Sequence, residues 1–426
     1  MAGIVIVGAG QAGASLAAKV RALGYDGRVT LIGEEPAPPY QRPPLSKGYL
    51  LREMELERIY LRAPSFWKEN EIDLRLAEPV RLIDRARKTV RAGNASIPYD
   101  KLALTIGSHP RQIPAAAGGS LGGVYTIRTL ADVDAMAVEC QPGRKLLIVG
   151  GGYLGLEVAA VGVRLGLEIT VIEVAPRILQ RVAAPPTSNY FRSLHSSHGV
   201  NILENTGLDR LTGTGRVSGA VLSNGMKIPA DFVVVAIGVT PATNIAEEAG
   251  LAIENGIRTD SRGLTSDPGI WSAGECASFP HEGRRVRLES VGNAIDHAEL
   301  VAKNMLGGSE NYRAKPWFWS DQYDVKLQIA GLNTGYDRIV ERKGDRERSR
   351  SIWYFEGGRL LALDAMNEAR AYMVAKRIIE AGQTVSLENV ADASRDVKSL
   401  LSEATKNPEA IAVDVGDVDA PSGPRE

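Results

Sequence analysis

Cysteine is nearly absent from this chain of 426 residues. Its only two, Cys140 and Cys276, lie too far apart for a CxxC pair and give no disulfide framework. Read plainly, each is a small buried or half-buried side chain. Long apolar runs are missing as well. None approaches the ~18 residues a membrane span needs, and the opening "AGIVIVGAG" has no basic n-region or cleavage site, which points to a cytoplasmic protein. An excess of charge of one sign is also lacking: 50 Lys and Arg face 51 Asp and Glu, for a net charge of −1. No global positive field exists to hold nucleic acid or an anionic membrane, so any acidic partner must meet a local patch.

Glycine, by contrast, is plentiful: 45 residues, enough for several tight phosphate-binding turns, in a chain long enough for two or three domains. In "GIVIVGAGQAGASLAAKVRALGYDGRVTLIGEE" an apolar strand, Ile4 to Val7, runs into Gly8, Gly10 and Gly13, then a helix, then a second strand ending near Glu34. In such a βαβ unit the first glycine permits the turn, the second lets backbone approach a pyrophosphate, and the third lets helix pack on strand. The acid that would bind a ribose hydroxyl is Glu34, with Glu35 its rival. The pattern recurs in "KLLIVGGGYLGLEVAAVGVRLGLEITVIEV", through Gly150, Gly152 and Gly155 to Glu173. Two dinucleotides are therefore expected. Glu173 would repel a ribose 2′-phosphate, so the second site should prefer NADH to NADPH, an inference weakened by Arg177 unless that arginine is a solvated loop residue. A third block, "TSDPGIWSAGECASF", supplies a short strand ending at Gly274 and Glu275, whose carboxylate could accept ribityl hydroxyls of FAD.

These blocks, together with "YQRPPLSKGYL", "IRTLADV", "RLESVGNAIDHA" and "PWFWSDQYDVKLQIAG", resemble the NADH-dependent ferredoxin reductases of bacterial oxygenase systems over approximately residues 3 to 400. The resemblance implies an α/β chain with two Rossmann-like dinucleotide-binding domains, glutathione-reductase-like, plus a small α+β C-terminal domain. The expected division is FAD-binding over 1–110 and 243–316, NADH-binding over 111–242, the C-terminal domain over 317–405, and a disordered tail over 406–426. It further implies that Ala12, Glu34, Lys47, Val80, Arg128, Glu275 and Val291 touch FAD, with Arg42, Gly274 and Trp319 completing that set and Gly238 joining the NADH site. Lys47 would stand near flavin N5 and Arg128 near the pyrophosphate. Tyr153 would cover the flavin until nicotinamide displaces it, and Glu157 would meet the carboxamide. Without the family, Lys47 reads as a surface lysine after a Ser46 cap, Tyr153 as a packing aromatic, and Glu157 as a first-turn acid compensating the helix dipole. Glu275 stands where the family has Asp, one methylene longer.

Where disulfide-reducing relatives hold a cysteine pair, this chain has Pro43, Pro44 and Lys47. Electrons are then expected to leave singly, to a [2Fe–2S] ferredoxin or a rubredoxin serving an oxygenase. Trp317 and Trp319, spaced by two, would point the same way on a strand, with one edge near the flavin and the surface, or else act as core aromatics. The run "RKGDRERSR" over 342–350, Arg62 and Lys326 are candidates for meeting an acidic ferredoxin, although such a run is more commonly a solvated turn. His195 and His198 have metal-compatible spacing but no third ligand nearby, so a surface helix is favoured. A monomer or weak homodimer is expected. Nitrite-reductase-type and coenzyme-A-type flavoproteins are disfavoured by the missing cysteines, and a non-enzymatic flavoprotein resembling apoptosis-inducing factor by the missing basic charge.

Overall fold

A computed structural model describes residues 2–407. The apolar run Ile4–Val7 forms the centre of a five-stranded parallel sheet, in the order 270–272, 101–104, 4–7, 29–32, 72–75. The central strand is buried on both faces, which is why Ile4, Val5, Ile6 and Val7 read as a continuous apolar run without alternation. The last strand in sequence thus sits beside 101–104, and a second sheet occupies the chain between them. That second sheet is also parallel and five-stranded, in the order 201–203, 168–172, 145–149, 232–235, 124–125. A short antiparallel pair, 108–110 with 239–241, joins the two units where the chain crosses out and back.

The segment Tyr40–Ile59 leaves the first unit to pack on the second. Tyr40, Leu45, Leu50 and Ile59 share one buried cluster with Leu146, Ile148, Val158 and Val234. Residues 317–366 form an antiparallel sheet in the order 317–322, 325–331, 359–366, 350–356, 338–343. One face of it packs on Leu156, Phe191 and Leu194 of the second unit, while the other is covered by the helix Ala369–Glu380. The expected α+β layer is therefore a lid packed on the second unit. Thr405 and Lys406 pair with Gln383 and Thr384, so order runs past residue 405; the rest of the expected tail, from 408, lies outside the described residues.

Several local readings require correction. The basic run is a hairpin between 338–343 and 350–356, and Arg342 is spent on the carbonyls of Val390, Asp392 and Arg395. Arg348 pairs with Asp324 and Arg350 with Glu341, while Lys343 and Arg346 remain exposed. Arg62, over the Phe66 ring, and Lys326 are both exposed, as a docking role requires. His195 is not on a surface: it is fully buried against the C-terminal sheet, because the helix Pro185–Ser197 lies between the two layers. Cys140 is half-buried and Cys276 buried, and both are free thiols.

His297 lies in the core of the first unit, 0% exposed, stacked on Tyr312 with its ring nitrogens unpartnered among the described residues. Burial lowers its pKa from 6.5 to about 3. Between those values the unfolded chain binds a proton that the folded chain refuses, so stability falls as pH drops from 6.5 toward 3. At pH 5 the loss amounts to about 2 kcal/mol. His297→Leu should flatten the urea midpoint between pH 7 and 5 relative to the parent; parallel slopes would show that His297 is not the titrating group.

Candidate active site

The two glycine turns have the same geometry for the same reason. Gly8 and Gly150 take φ of +107° and +111°, and a Cβ on either would lie 2.3 or 2.4 Å from the carbonyl oxygen of Thr105 or Ala236, just past the end of the neighbouring strand. Gly13 and Gly155 would each collide with the carbonyl of the first glycine of their own turn, at 1.9 and 2.1 Å. Gly10 and Gly152, by contrast, face open space, and the helices Gln11–Ala22 and Tyr153–Arg164 start there without a side-chain cap. Uncapped N–H groups opening on free volume suit a pyrophosphate, and this happens twice. The residues present fit two dinucleotides.

Around the first turn, Ala12 is buried and lies beneath Gly274, whose Cβ would come within 2.8 Å of it. Glu34 is exposed and makes no hydrogen bond or ion pair among the described residues. Its rival Glu35 is occupied by the Tyr40 hydroxyl at 2.5 Å and by Arg42 at 2.6 Å, so Arg42 braces the 35–42 loop and also donates to the Arg128 carbonyl. Arg128 and Glu275 pair with each other at 2.8 Å across Gly107. Their separate expected roles, on pyrophosphate and ribityl hydroxyls, become one ion pair in this structure, with both groups about one-fifth exposed. Val80 packs at the edge of the cluster that holds Val7 and Ile32, and Val291 begins the helix Val291–Met305 beside the Gly274 turn.

At the second turn, Glu173 accepts the Gly151 and Ala175 amides, each at 2.8 Å, which fixes its carboxylate at the strand end. Arg177 is not a solvated loop residue. It is half-buried and donates to Ser188 at 2.5 Å. Gly238, at φ +91°, opens on free space beyond the strand 232–235.

Between the turns lies the contact no local pattern foretells. Lys47, just past the Pro43–Ser46 turn, meets Glu157 at 2.6 Å, and Ser46 and Ser320 donate to the same carboxylate at 2.8 and 2.7 Å. Glu157 is 5% exposed and sits in the second turn of its helix, so the first-turn dipole reading is wrong, as is the surface reading of Lys47. Burial raises the Glu157 pKa against the lowering pull of Lys47 and the two hydroxyls. Tyr153 lies 5.0 Å from Phe318, centroid to centroid, with its hydroxyl buried and unpartnered among the described residues. On the opposite face of the strand 317–322, Trp317 and Trp319 stack at 5.5 Å and both are half-buried. Gly292 makes room for them, since a Cβ there would lie 2.3 Å from Trp317 Nε1.

Two open nucleotide turns, with a buried lysine-carboxylate pair joining their units and no cysteine beside it, define a two-nucleotide oxidoreductase that has no dithiol at this position. Comparison with known proteins agrees. Residues 2–298 match the pyridine nucleotide-disulphide oxidoreductase model and residues 317–401 the reductase C-terminal model. A ferredoxin-NAD(P)(+) reductase from a Sphingomonas species is 42% identical, covering 89% of this chain and 92% of that protein. Rhodocoxin reductase from Rhodococcus erythropolis is 38% identical, covering 97% and 98%. The crystal structure of a covalent putidaredoxin reductase-putidaredoxin complex superposes with a TM-score of 0.91 at 36% identity, covering 94% of this chain and 98% of that one. This chain belongs to the pyridine nucleotide-disulphide oxidoreductase family, in its branch with the reductase C-terminal domain.

Removing the lysine leaves a buried carboxylate unpaired, which costs about 3 kcal/mol. Lys47→Met should lower the melting temperature, more at pH 8 than at pH 5, and Lys47→Met/Glu157→Gln should recover most of the loss. Additive losses in the double variant would show that the two groups do not interact.

Proposed function

We propose that this chain is an FAD-dependent NADH:ferredoxin oxidoreductase of the cytoplasm, delivering electrons to a [2Fe–2S] ferredoxin that serves an oxygenase. Its cofactors are FAD and NAD(H). The observation that carries the reading is the pair of open glycine turns with Lys47 and Glu157 between them, where a dithiol would otherwise stand. Relatives named for ferredoxin, rhodocoxin and putidaredoxin point to the same class of acceptor. The FAD unit comprises 1–110 and 243–316, the NADH unit 111–242, and the lid 317–405.

Bound FAD supplies the step from two-electron to one-electron transfer. The protein's part is to position and to exclude water. Gly10, Ala12, Gly13 and Gly274 would admit the FAD phosphates and ribityl chain, with Arg128 able to pair with phosphate and Glu275 to accept ribityl hydroxyls. Lys47, held by Glu157, would offer its ammonium to the flavin, and Tyr153 would give way to nicotinamide. Glu173 would accept a ribose 2′-hydroxyl and reject a 2′-phosphate, while the Arg177 guanidinium is engaged with Ser188. Trp317 and Trp319 form the exit face toward the docked partner.

The purified yellow protein should bleach rapidly with NADH, on the order of 100-fold more slowly with NADPH, and then reduce a [2Fe–2S] ferredoxin in stopped flow. Trp319→Ala should slow ferredoxin reduction several-fold more than reduction of a small dye. A colourless protein, or a bleached one that reduces no iron-sulfur carrier, would refute the assignment; equal losses in both Trp319→Ala assays would refute the exit face.

A further inference from the structure

Behind Glu157 the hydrogen bonds do not stop at Ser320. Gln322 Nε2 donates to Ser320 Oγ at 3.1 Å, Gln322 Oε1 lies 2.8 Å from His195 Nε2, and His195 Nδ1 lies 3.0 Å from the Tyr323 hydroxyl. Ser320 and Gln322 are fully buried, as is His195. The chain ends at Tyr323, which stacks on His198 at 3.7 Å and lines a surface cavity of about 390 Å³ with Arg164, Asp324 and Arg348. Three layers contribute: Glu157 and His195 come from two helices of the second unit, Ser320 and Gln322 from the lid, and Lys47 from the first unit.

Every donor along this line is fixed by its neighbour. An ionised Glu157 can only accept, so Ser320 must spend its single proton there. Ser320 Oγ must then receive from Gln322, which places the amide nitrogen toward Ser320 and the amide oxygen toward His195. That oxygen demands Nε2–H on the imidazole, leaving Nδ1 bare to accept from Tyr323. Burial lowers the His195 pKa to about 4, so the ring is neutral and has one tautomer to choose. An amide does not pass protons along such a line, because its donor and acceptor are different atoms. The line orients; it does not conduct.

We propose that Gln322 and His195 are positioning residues that aim the Ser320 proton at Glu157 and so hold that carboxylate in its charged form beside Lys47. This rests on the placement of Lys47 and Glu157 at the reacting site. The charged group facing Glu157 is Lys47; the strand 317–322 brings only hydroxyl and amide to it, and His195 faces Tyr323 and His198. Burial already raises the Glu157 pKa, and a misdirected Ser320 hydroxyl raises it further. Losing one hydrogen bond to a charged group corresponds to a shift on the order of one pH unit.

The test uses the FAD-loaded full chain. In Gln322→Met, which keeps length without the amide, the acid limb of NADH-driven bleaching should move up by about one pH unit. Gln322→Glu, which cannot donate when ionised, should move it at least as far and serves where the methionine variant does not fold. Independently of activity, ring nitrogen-15 spectra should show His195 as the neutral Nε2–H tautomer from pH 5 to 8 in the parent, assigned by its loss in His195→Asn, and as a mixture in Gln322→Met. An Nδ1–H tautomer in the parent, or an unshifted limb in a folded Gln322 variant while Glu157→Gln is slowed, overturns the proposal alone. An unchanged bleaching rate in Glu157→Gln overturns the site assignment and this proposal together.

Discussion

The buried carboxylate of Glu157 has to be satisfied, and the three layers of the molecule meet in doing so. Isolated in a low-dielectric interior, it would cost several kcal/mol. Lys47 and Ser46 come to it from the first unit and Ser320 from the lid, while its own helix belongs to the second unit. Separating any two layers strips it of a partner. The contact of the two nucleotide units with each other and with the lid is thus also the arrangement that satisfies this group.

The apolar clusters provide the bulk of the cohesion, and the polar groups choose the register. The hydrophobic effect that buries Tyr40, Leu45 and Leu50 against the second sheet is not directional and by itself distinguishes weakly among small slides. The bonds to Glu157 are directional and allow far fewer. Arg42, bonded to Glu35 and to the Arg128 carbonyl, performs the same task at the other end of the segment.

How much of this could be read in the sequence depends on how local the cause is. The glycine turns were legible because a positive φ and a collision within five residues are local constraints that leave glycine as the fitting residue. The parallel strands were legible for a similar reason, as uninterrupted apolar runs. Lys47 and Glu157 stand 110 positions apart, and no pattern in either segment announces the other; family resemblance named both without indicating that they pair. His195 looked like a surface residue because a helix with polar faces reads as exposed until a second layer covers it. Arg342 looked free because backbone carbonyls, its actual partners, carry no sequence signal. The Arg128–Glu275 pair was hidden likewise, each residue having been matched to a ligand and neither to the other.

What the chain lacks shapes its chemistry as much as what it holds. Cys140 and Cys276 are buried or half-buried, and burial raises the Cys140 thiol to about 11 and pushes Cys276 up as well, so neither is a ready thiolate. Reducing power taken from NADH then has no sulfur through which to leave as a pair. The most direct measurement is the anaerobic stoichiometry of a Cys140→Ala/Cys276→Ala variant with NADH and an excess of oxidised [2Fe–2S] ferredoxin. Two ferredoxins reduced per NADH, as in the parent, is the expected result. Loss of ferredoxin reduction in a variant that still binds FAD and still bleaches with NADH would contradict the account.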